Sequence, residues 1–521
     1  MQEKSSKRHN NIASIDKRNF RGEDGNKIKN QSNSLKWNMN KIFRPWPVHK
    51  KDQTDSESGN GFWPFTGFYI YIAYIFAVCA VILGLLLNKQ GEGAPDSCFQ
   101  FNRLDSCYFN DTKPYRLYGS KTTYSVARGS SSIKPLENND SECEPVFLYL
   151  LNRHATRYPD AEDIVEMGER LVILQGLLSN AIEHGQVHMC PSDISEILSW
   201  KINMIPSDDN SVSDSGKEEA EDLARRLKMA FPTLLSRNYT SSDFEFGFTS
   251  RVRTRTTAEA FAKGLFGEAA LEIEYPEPKD DRLQFHKLCN KIIKESGVID
   301  KEYEELTKFD DGYLMESVRK SVSWRLGFNA TRKDVKLMRN TCRFEFALFG
   351  ASPWCAVFNT EEIKVLEFWD DLDDYYEDIY GSERNYLQAC PIIKDFIDYF
   401  NLAVKGKGPK AVLHFSHAGA LKKVFTRLGL FLNSPPLMAD NYCESESRKY
   451  RSSLVCPFNA NLLLVLYKCH DEYFVSSFLQ EKPVVLEGCE DSVCPLNTFN
   501  SVYAPMASNC NLYEICSLPY A

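Results

Sequence analysis

The sequence predicts an α/β fold: a mostly parallel sheet with flanking helices and a helical cap, preceded by a disordered tail and one transmembrane helix. Three observations carry that expectation. Short apolar runs alternate with helical patterns beyond residue 95. Three of those runs end alike, in a polar tip that leads into a helix. An uncharged stretch of 26 residues separates them from a polar N-terminus. The 521 residues are 43% hydrophobic and 26% charged, which excludes a wholly disordered, collagen-like or multi-span membrane chain. A net charge of −9 gives no global reason to expect nucleic acid as a partner.

Residues 1–61 carry 13 basic and 7 acidic residues and little that could form a core, so they read as a disordered cytoplasmic tail. Residues 62–87, from Phe62 to Leu87, contain no charge. A bilayer core needs about 20 residues, and aromatics crowd the first end of this run as at a membrane interface. Lys41, Arg44, Lys50 and Lys51 precede it, whereas Glu92 and Asp96 follow. The positive-inside rule then predicts an uncleaved signal anchor, a single-pass type II topology and a lumenal or extracellular remainder. A signal peptide's apolar region is shorter, about 7–15 residues. The remainder is net acidic, −15 beyond residue 61.

Cys79 lies in the uncharged stretch and 15 of the 16 cysteines lie beyond it. An oxidising lumen favours pairing, and an odd number leaves at least one free. Cys489 with Cys494, and Cys510 with Cys516, are close enough for local loops, but spacing does not fix the connectivity. No paired CxxC with histidine partners points to zinc. Sequons begin at Asn110, Asn139, Asn238 and Asn329 and agree with a lumenal domain.

The three junctions share one design. Val146–Leu151 is a continuous apolar run, suited to a strand buried on both faces, and passes into Asn152-Arg153-His154-Ala155-Thr156-Arg157-Tyr158-Pro159. Phe244–Thr249 alternates apolar residues, then gives Ser250-Arg251-Val252-Arg253-Thr254-Arg255 and a helix over 256–265. Gly216–Phe231 before it reads as a helix with one apolar face. Ala411–Phe415 passes through Ser416-His417-Ala418-Gly419 into a helix over 420–428. If the strands are parallel, all three tips share the carboxyl edge where such sheets bind ligands. His154, His417 and the arginines 153, 157, 251, 253 and 255 would meet there. Arginine forks match phosphate oxygens, and helix N-termini favour anions. A phosphate site with two histidines follows. At alternating positions 251, 253 and 255, only one or two arginines should face it.

At these residues the chain resembles the histidine acid phosphatases, and within them the multiple inositol polyphosphate phosphatases, relatives of the phytases. Arg153–Pro159 fits R-H-G-x-R-x-P at all but its glycine. Tyr118–Tyr124, Cys342–Gly350, Ser352–Phe358 and Ser453–Leu462 extend the likeness over about 95–500. The resemblance implies a histidine-acid-phosphatase-like domain over 95–500, with cap segments roughly within 161–210 and 265–340. Residues 501–521 are left as a cysteine-containing tail. It implies His154 as nucleophile, forming a phosphohistidine. Arg153, Arg157 and Arg253 would bind phosphate, and His417 would assist as the second active-site histidine. It implies no metal and no cofactor. Lys121, Arg251 and Thr156 are expected to bind a small polyphosphorylated substrate such as an inositol polyphosphate.

Two departures stand out. Ala155 replaces the glycine after the nucleophile, which is tolerable unless that residue needs positive φ. Gly419 stands where the resemblance implies an acid that protonates the leaving oxygen, a contribution of about 10²–10⁴-fold. Glu259 and His414 are the alternative donors suggested by motif proximity. Two other functions stay open: a pseudophosphatase that binds with little turnover, and an acid phosphatase on other monoesters such as 2,3-bisphosphoglycerate. The sequence does not specify the oligomeric state.

Overall fold

The run at 146–151 forms the middle of the longest strand, β1 (Cys143–Arg153), in a sheet with β2 (Phe244–Phe248), β3 (Ala411–Ser416), β4 (Asn461–Cys469), β5 (Glu472–Leu479), β6 (Lys482–Pro483) and β7 (Val493–Pro495). This computed structural model describes residues 107–111, 114–136, 143–296 and 303–518, with Ile75 and Val78. The tail at 1–61 and, but for those two helical positions, the uncharged stretch at 62–87 lie outside the described residues. Among the described residues no helix is long and apolar enough to cross a membrane. Asn238 and Asn329 are exposed, while the side chains of Asn110 and Asn139 lie outside the described residues.

The strand order is β2-β3-β1-β4-β5-β6, with β7 on β5. β2, β3 and β1 run parallel, and β4 to β7 are antiparallel to their neighbours. The sheet is therefore mixed rather than mostly parallel. The reason is local: only His470 and Asp471 separate β4 from β5, and a two-residue link can join only antiparallel strands.

Both faces of β1 are covered. Phe147, Tyr149 and Leu151 enter one apolar cluster, and Leu148 and Leu150 enter the other. The period of two along the strand sends neighbours to opposite sides. The helices that cover it are α1 (Ala161–Glu183), α2 (Asp214–Ala230), α3 (Val252–Phe266), α4 (Phe285–Ser296), α5 (Arg332–Phe349), α6 (Thr360–Asp378), α7 (Cys390–Val404), α8 (Ala418–Arg427) and α9 (Leu496–Ser508). Leu223 and Leu227 of α2 and Phe261 and Leu265 of α3 pack on the Leu148 side. Side chains of α1 and α5 to α9 pack on the other. Each fully buried Leu or Phe contributes about 1.5–3 kcal/mol over an exposed one. Helix starts are capped by polar side chains. Ser213 accepts from the Gly216 N–H before α2, and Thr331 with Asp334 forms a capping box before α5.

Cys489 pairs with Cys494, but Cys510 and Cys516 do not form a local loop. Cys510 pairs with Cys390 and Cys516 with Cys289, 120 and 227 residues away. Residues 501–518 are thus not a loose tail: α9 buries Phe499 and Tyr503 in the core, and the two disulfides hold the segment beyond it. Cys143–Cys469 links residues paired across β1 and β4. Cys456 is the free cysteine among the described residues, and it is buried. Such disulfides belong to an oxidising compartment, outside the cell or in a lumen. Replacing Cys390 and Cys510 together by serine is expected to lower unfolding stability by about 2–5 kcal/mol, read by denaturant titration. An unchanged midpoint would show that the C-terminal segment is held without this bond.

Candidate active site

Parallel pairing brings the three tips to one sheet edge. Arg153 lies opposite Ser416, and Phe248 opposite Phe415. The next residues along are His154, His417 and Thr249. The His154 backbone is fixed on both sides, its N–H donating to the Ser416 carbonyl at 3.0 Å and its carbonyl accepting from Asn459 N–H at 3.1 Å. Its Nδ1–H donates to the Ala155 carbonyl at 3.0 Å. That contact selects the tautomer, so the lone pair of the neutral ring sits on Nε2. Burial, then the charges of Arg153, Arg253 and Arg157, hold this imidazole well below its ordinary 6.5. Ala155 is absent from the positive-φ positions and packs with Val212, Ala220 and Ala260, so its methyl group fits.

His417 caps α8, with its ring centroid 5.8 Å from that of His154. Its Nε2 hydrogen-bonds with the Thr249 hydroxyl at 3.0 Å, and its buried Nδ1 has no partner. Burial, then the Arg253 charge, push it down to about 2.

The arginines are held from behind. Arg153 Nη1 donates to the carbonyls of Ser120 and Cys456, each at 2.7 Å, and its guanidinium lies 4.7 Å from the Phe458 centroid. Arg157 donates to its neighbour's carbonyl at 2.7 Å, and Arg253 reaches Asn210 Oδ1 at 3.4 Å. The Nε atoms of all three are buried without a partner. Burial first, then neighbouring guanidinium charge, bring Arg153 and Arg253 down to about 10. Mutually repelling cations with unused N–H donors, beside the N-termini of α3 and α8, make an anion site.

Arg251 is exposed, and its charge acts on Arg253 and His417. Arg255 instead pairs with Glu259 at 2.9 Å on the exposed side of α3. Lys121 lies over the Phe344 ring, which Arg157 also faces, and burial, then Arg343, Arg157 and Arg153, hold its ammonium well below 10.5. The Thr156 hydroxyl donates to Glu219 at 2.9 Å, so its proton is engaged inside the fold rather than offered to a ligand.

Neither alternative proton donor belongs to this cluster. Glu259 lines a surface cleft with Lys217, Glu221 and Lys263 and is tied to Arg255. His414 sits inside β3, fully buried, with Nδ1 hydrogen-bonded to the Tyr149 hydroxyl at 2.7 Å. Strand alternation turns it into the core, three residues short of the tip. Two other groups stand at Gly419. A Cβ there would lie 3.2 Å from Asp378 Oδ1 and 3.5 Å from His286 Cδ2. Sequence reasoning missed both, together with Arg343. His286 and Asp378 lie far along the chain from every junction, and nothing local marks them. Arg343 lies inside a stretch that carries the family likeness, but its direction depends on the turn of α5. Among the described residues no group of three or more His, Cys, Asp or Glu could hold a metal ion.

A sequence profile of the histidine phosphatase superfamily (branch 2) matches residues 146–480, well over half of the chain. The chain belongs to that superfamily. Multiple inositol polyphosphate phosphatase 1 of Drosophila melanogaster is 31% identical over 428 residues, covering 78% of this chain and 90% of the relative. The phytase from D. castellii shares the fold with a TM-score of 0.58 at 18% identity, over 77% of this chain and 89% of that one. The Bifidobacterium longum multiple inositol polyphosphate phosphatase, crystallised with inositol hexasulfate, gives 0.57 at 13% identity, over 75% and 98%.

For this histidine phosphatase the depressed His154 has a direct consequence. Its neutral form persists as pH falls below 6.5, and protonation enters only at lower pH. With His154 as the reacting nitrogen, the role the resemblance implies, the acid limb of kcat/KM is expected below pH 6.5 in a pH–rate profile. A limb at or above that pH would show that His154 is not held neutral.

Proposed function

We propose that the protein hydrolyses phosphomonoesters of inositol polyphosphates, with His154 carrying the phosphoryl group between two displacements. One observation supports this above others: the unprotonated Nε2 of a buried neutral imidazole stands among three guanidinium groups whose Nε atoms are buried without a partner. Such a nitrogen attacks phosphorus without first losing a proton. Covalent catalysis then divides one hard displacement into two easier ones. Arg153, Arg157 and Arg253 stabilise charge on the equatorial phosphoryl oxygens, and His417 hydrogen-bonds to the same group. Water releases phosphate from the phosphohistidine.

The substrate class rests on the relatives and on surplus cations. Lys121 on one side and Arg251 on another extend positive charge beyond what one phosphate needs, whereas Arg343 beside Lys121 is paired with Asp370 at 3.1 Å. A ring bearing several phosphates uses that charge, whereas a simple monoester leaves most of it idle.

The test is phosphate release from inositol hexakisphosphate by the purified protein, with His154→Ala beside it. The variant should lose at least about 10³-fold. Acid-labile, alkali-stable label should appear on the wild type alone after brief mixing with radiolabelled substrate. Equal release by both proteins would overturn the reading. Binding without release by the wild type would make it a binding protein.

A further inference from the structure

We propose that His286 is the group that protonates the leaving oxygen, acting from the place an acidic side chain at position 419 would occupy. This rests on the reading of His154 as nucleophile. His286 stands on α4 and is 7% exposed. Its ring centroid lies 6.2 Å from that of His417, which in turn lies 5.8 Å from that of His154. Its Nδ1 is buried without a hydrogen-bond partner. A fixed imidazole with an unused nitrogen, one ring removed from a nucleophile, is not explained by packing alone.

Gly419 makes room for it. With no side chain at 419, the space beside α8 is bordered by the His286 ring and by Asp378 of α6. Asp378 is the other nearby acid, and it is unsuited to the task. It accepts from Lys422 at 2.9 Å and pairs with Lys423 at 2.7 Å. Burial alone would raise its pKa, but the two ammonium charges win and hold it well below the usual carboxylate range. A permanently ionised carboxylate has no proton to give. It can, however, stabilise an imidazolium beside it.

The groups that face His286 are Asp378 from α6, Lys422 and Lys423 from α8, Lys287 on its own helix, and His417. In the free protein, burial and then Lys423 push the imidazole down to about 3. A polyanionic substrate reverses that balance, because nearby negative charge favours the protonated ring. The proton therefore arrives with the substrate.

The proton count closes over one turnover. In the first step the bond from His154 Nε2 to phosphorus forms, and the bond from phosphorus to the ester oxygen breaks. The His286 imidazolium gives its proton to that oxygen, leaving an alcohol and a neutral ring. In the second step water attacks phosphorus and the N–P bond breaks. The water's proton passes to His286, which is then ready for another ester.

The experiment compares two leaving groups in the full chain. p-Nitrophenyl phosphate releases a stabilised phenolate that needs little protonation. Inositol hexakisphosphate releases an alkoxide that needs it. His286→Gln should lower kcat/KM on the inositol ester by about 10²-fold or more and change the aryl ester little. Retained aryl activity also reports a folded variant. Equal losses on both esters would assign His286 a structural role and overturn the proposal. So would a selective loss in Asp378→Asn with His286→Gln unaffected. If His286→Gln does not fold, the wild-type dependence of kcat/KM on leaving-group pKa decides. A shallow slope supports a proton donor, and a steep one overturns it. His154→Ala as active as wild type on both esters would instead defeat the nucleophile assignment, whatever His286 does.

Discussion

Three guanidinium groups, one buried and two half-buried, gathered around a neutral imidazole set the terms for the rest of this structure. Each cation is at least partly desolvated, and Arg153 and Arg253 also stand close enough to other guanidinium groups to weaken each other's hold on a proton. Such an arrangement survives only where backbone and aromatic groups fix it from behind. Here the carbonyls of Ser120, Cys456 and Tyr158 and the rings of Phe458 and Phe344 do so. The repulsion that opposes folding is relieved when an anion enters. Burial and the same charges keep His154 unprotonated, so the cationic character of the site and the neutrality of this ring are linked.

The fold serves that cluster by rigid support. β1 ends at Arg153 and is flanked by β3 on one side and β4 on the other, so the backbone of His154 is held from both. Segments inserted between the strands, the turn at Asn210 and the helices carrying His286, Arg343 and Phe344, reach the same edge. Between α8 and α6, Lys422, Lys423, Asp374 and Asp378 form a buried ionic group whose members are all paired. Removing one partner from such a group leaves an uncompensated charge, which costs several kcal/mol, about 3–5.

Much of this was legible in the sequence because it is local. The run at 146–151 is apolar without a break because both its faces are covered, and each strand tip lies next to its strand in sequence. Residues 153, 154, 157, 253 and 417 are therefore placed at one edge by topology alone. What was not legible depends on long-range geometry. The β4–β5 hairpin escaped notice because a continuous apolar run does not declare its direction. Glu259 and His414 lie close in sequence to the right motifs, but helix rotation and strand alternation turn them elsewhere. His286 had the opposite fate, since only the packing of α4 against α8 puts it beside Gly419.

The disulfides that hold the last residues also set an order of events at synthesis. Cys289 and Cys390 find their partners at Cys516 and Cys510, 227 and 120 residues further along. A ribosome-bound chain therefore carries both thiols unpaired through more than a hundred residues of elongation. Oxidation machinery meets them alongside cysteines such as Cys342 and Cys355, which pair across only 13 residues. Closure of these long loops thus trails that of the short ones, and Cys143, 326 residues from Cys469, waits longest among the described pairs.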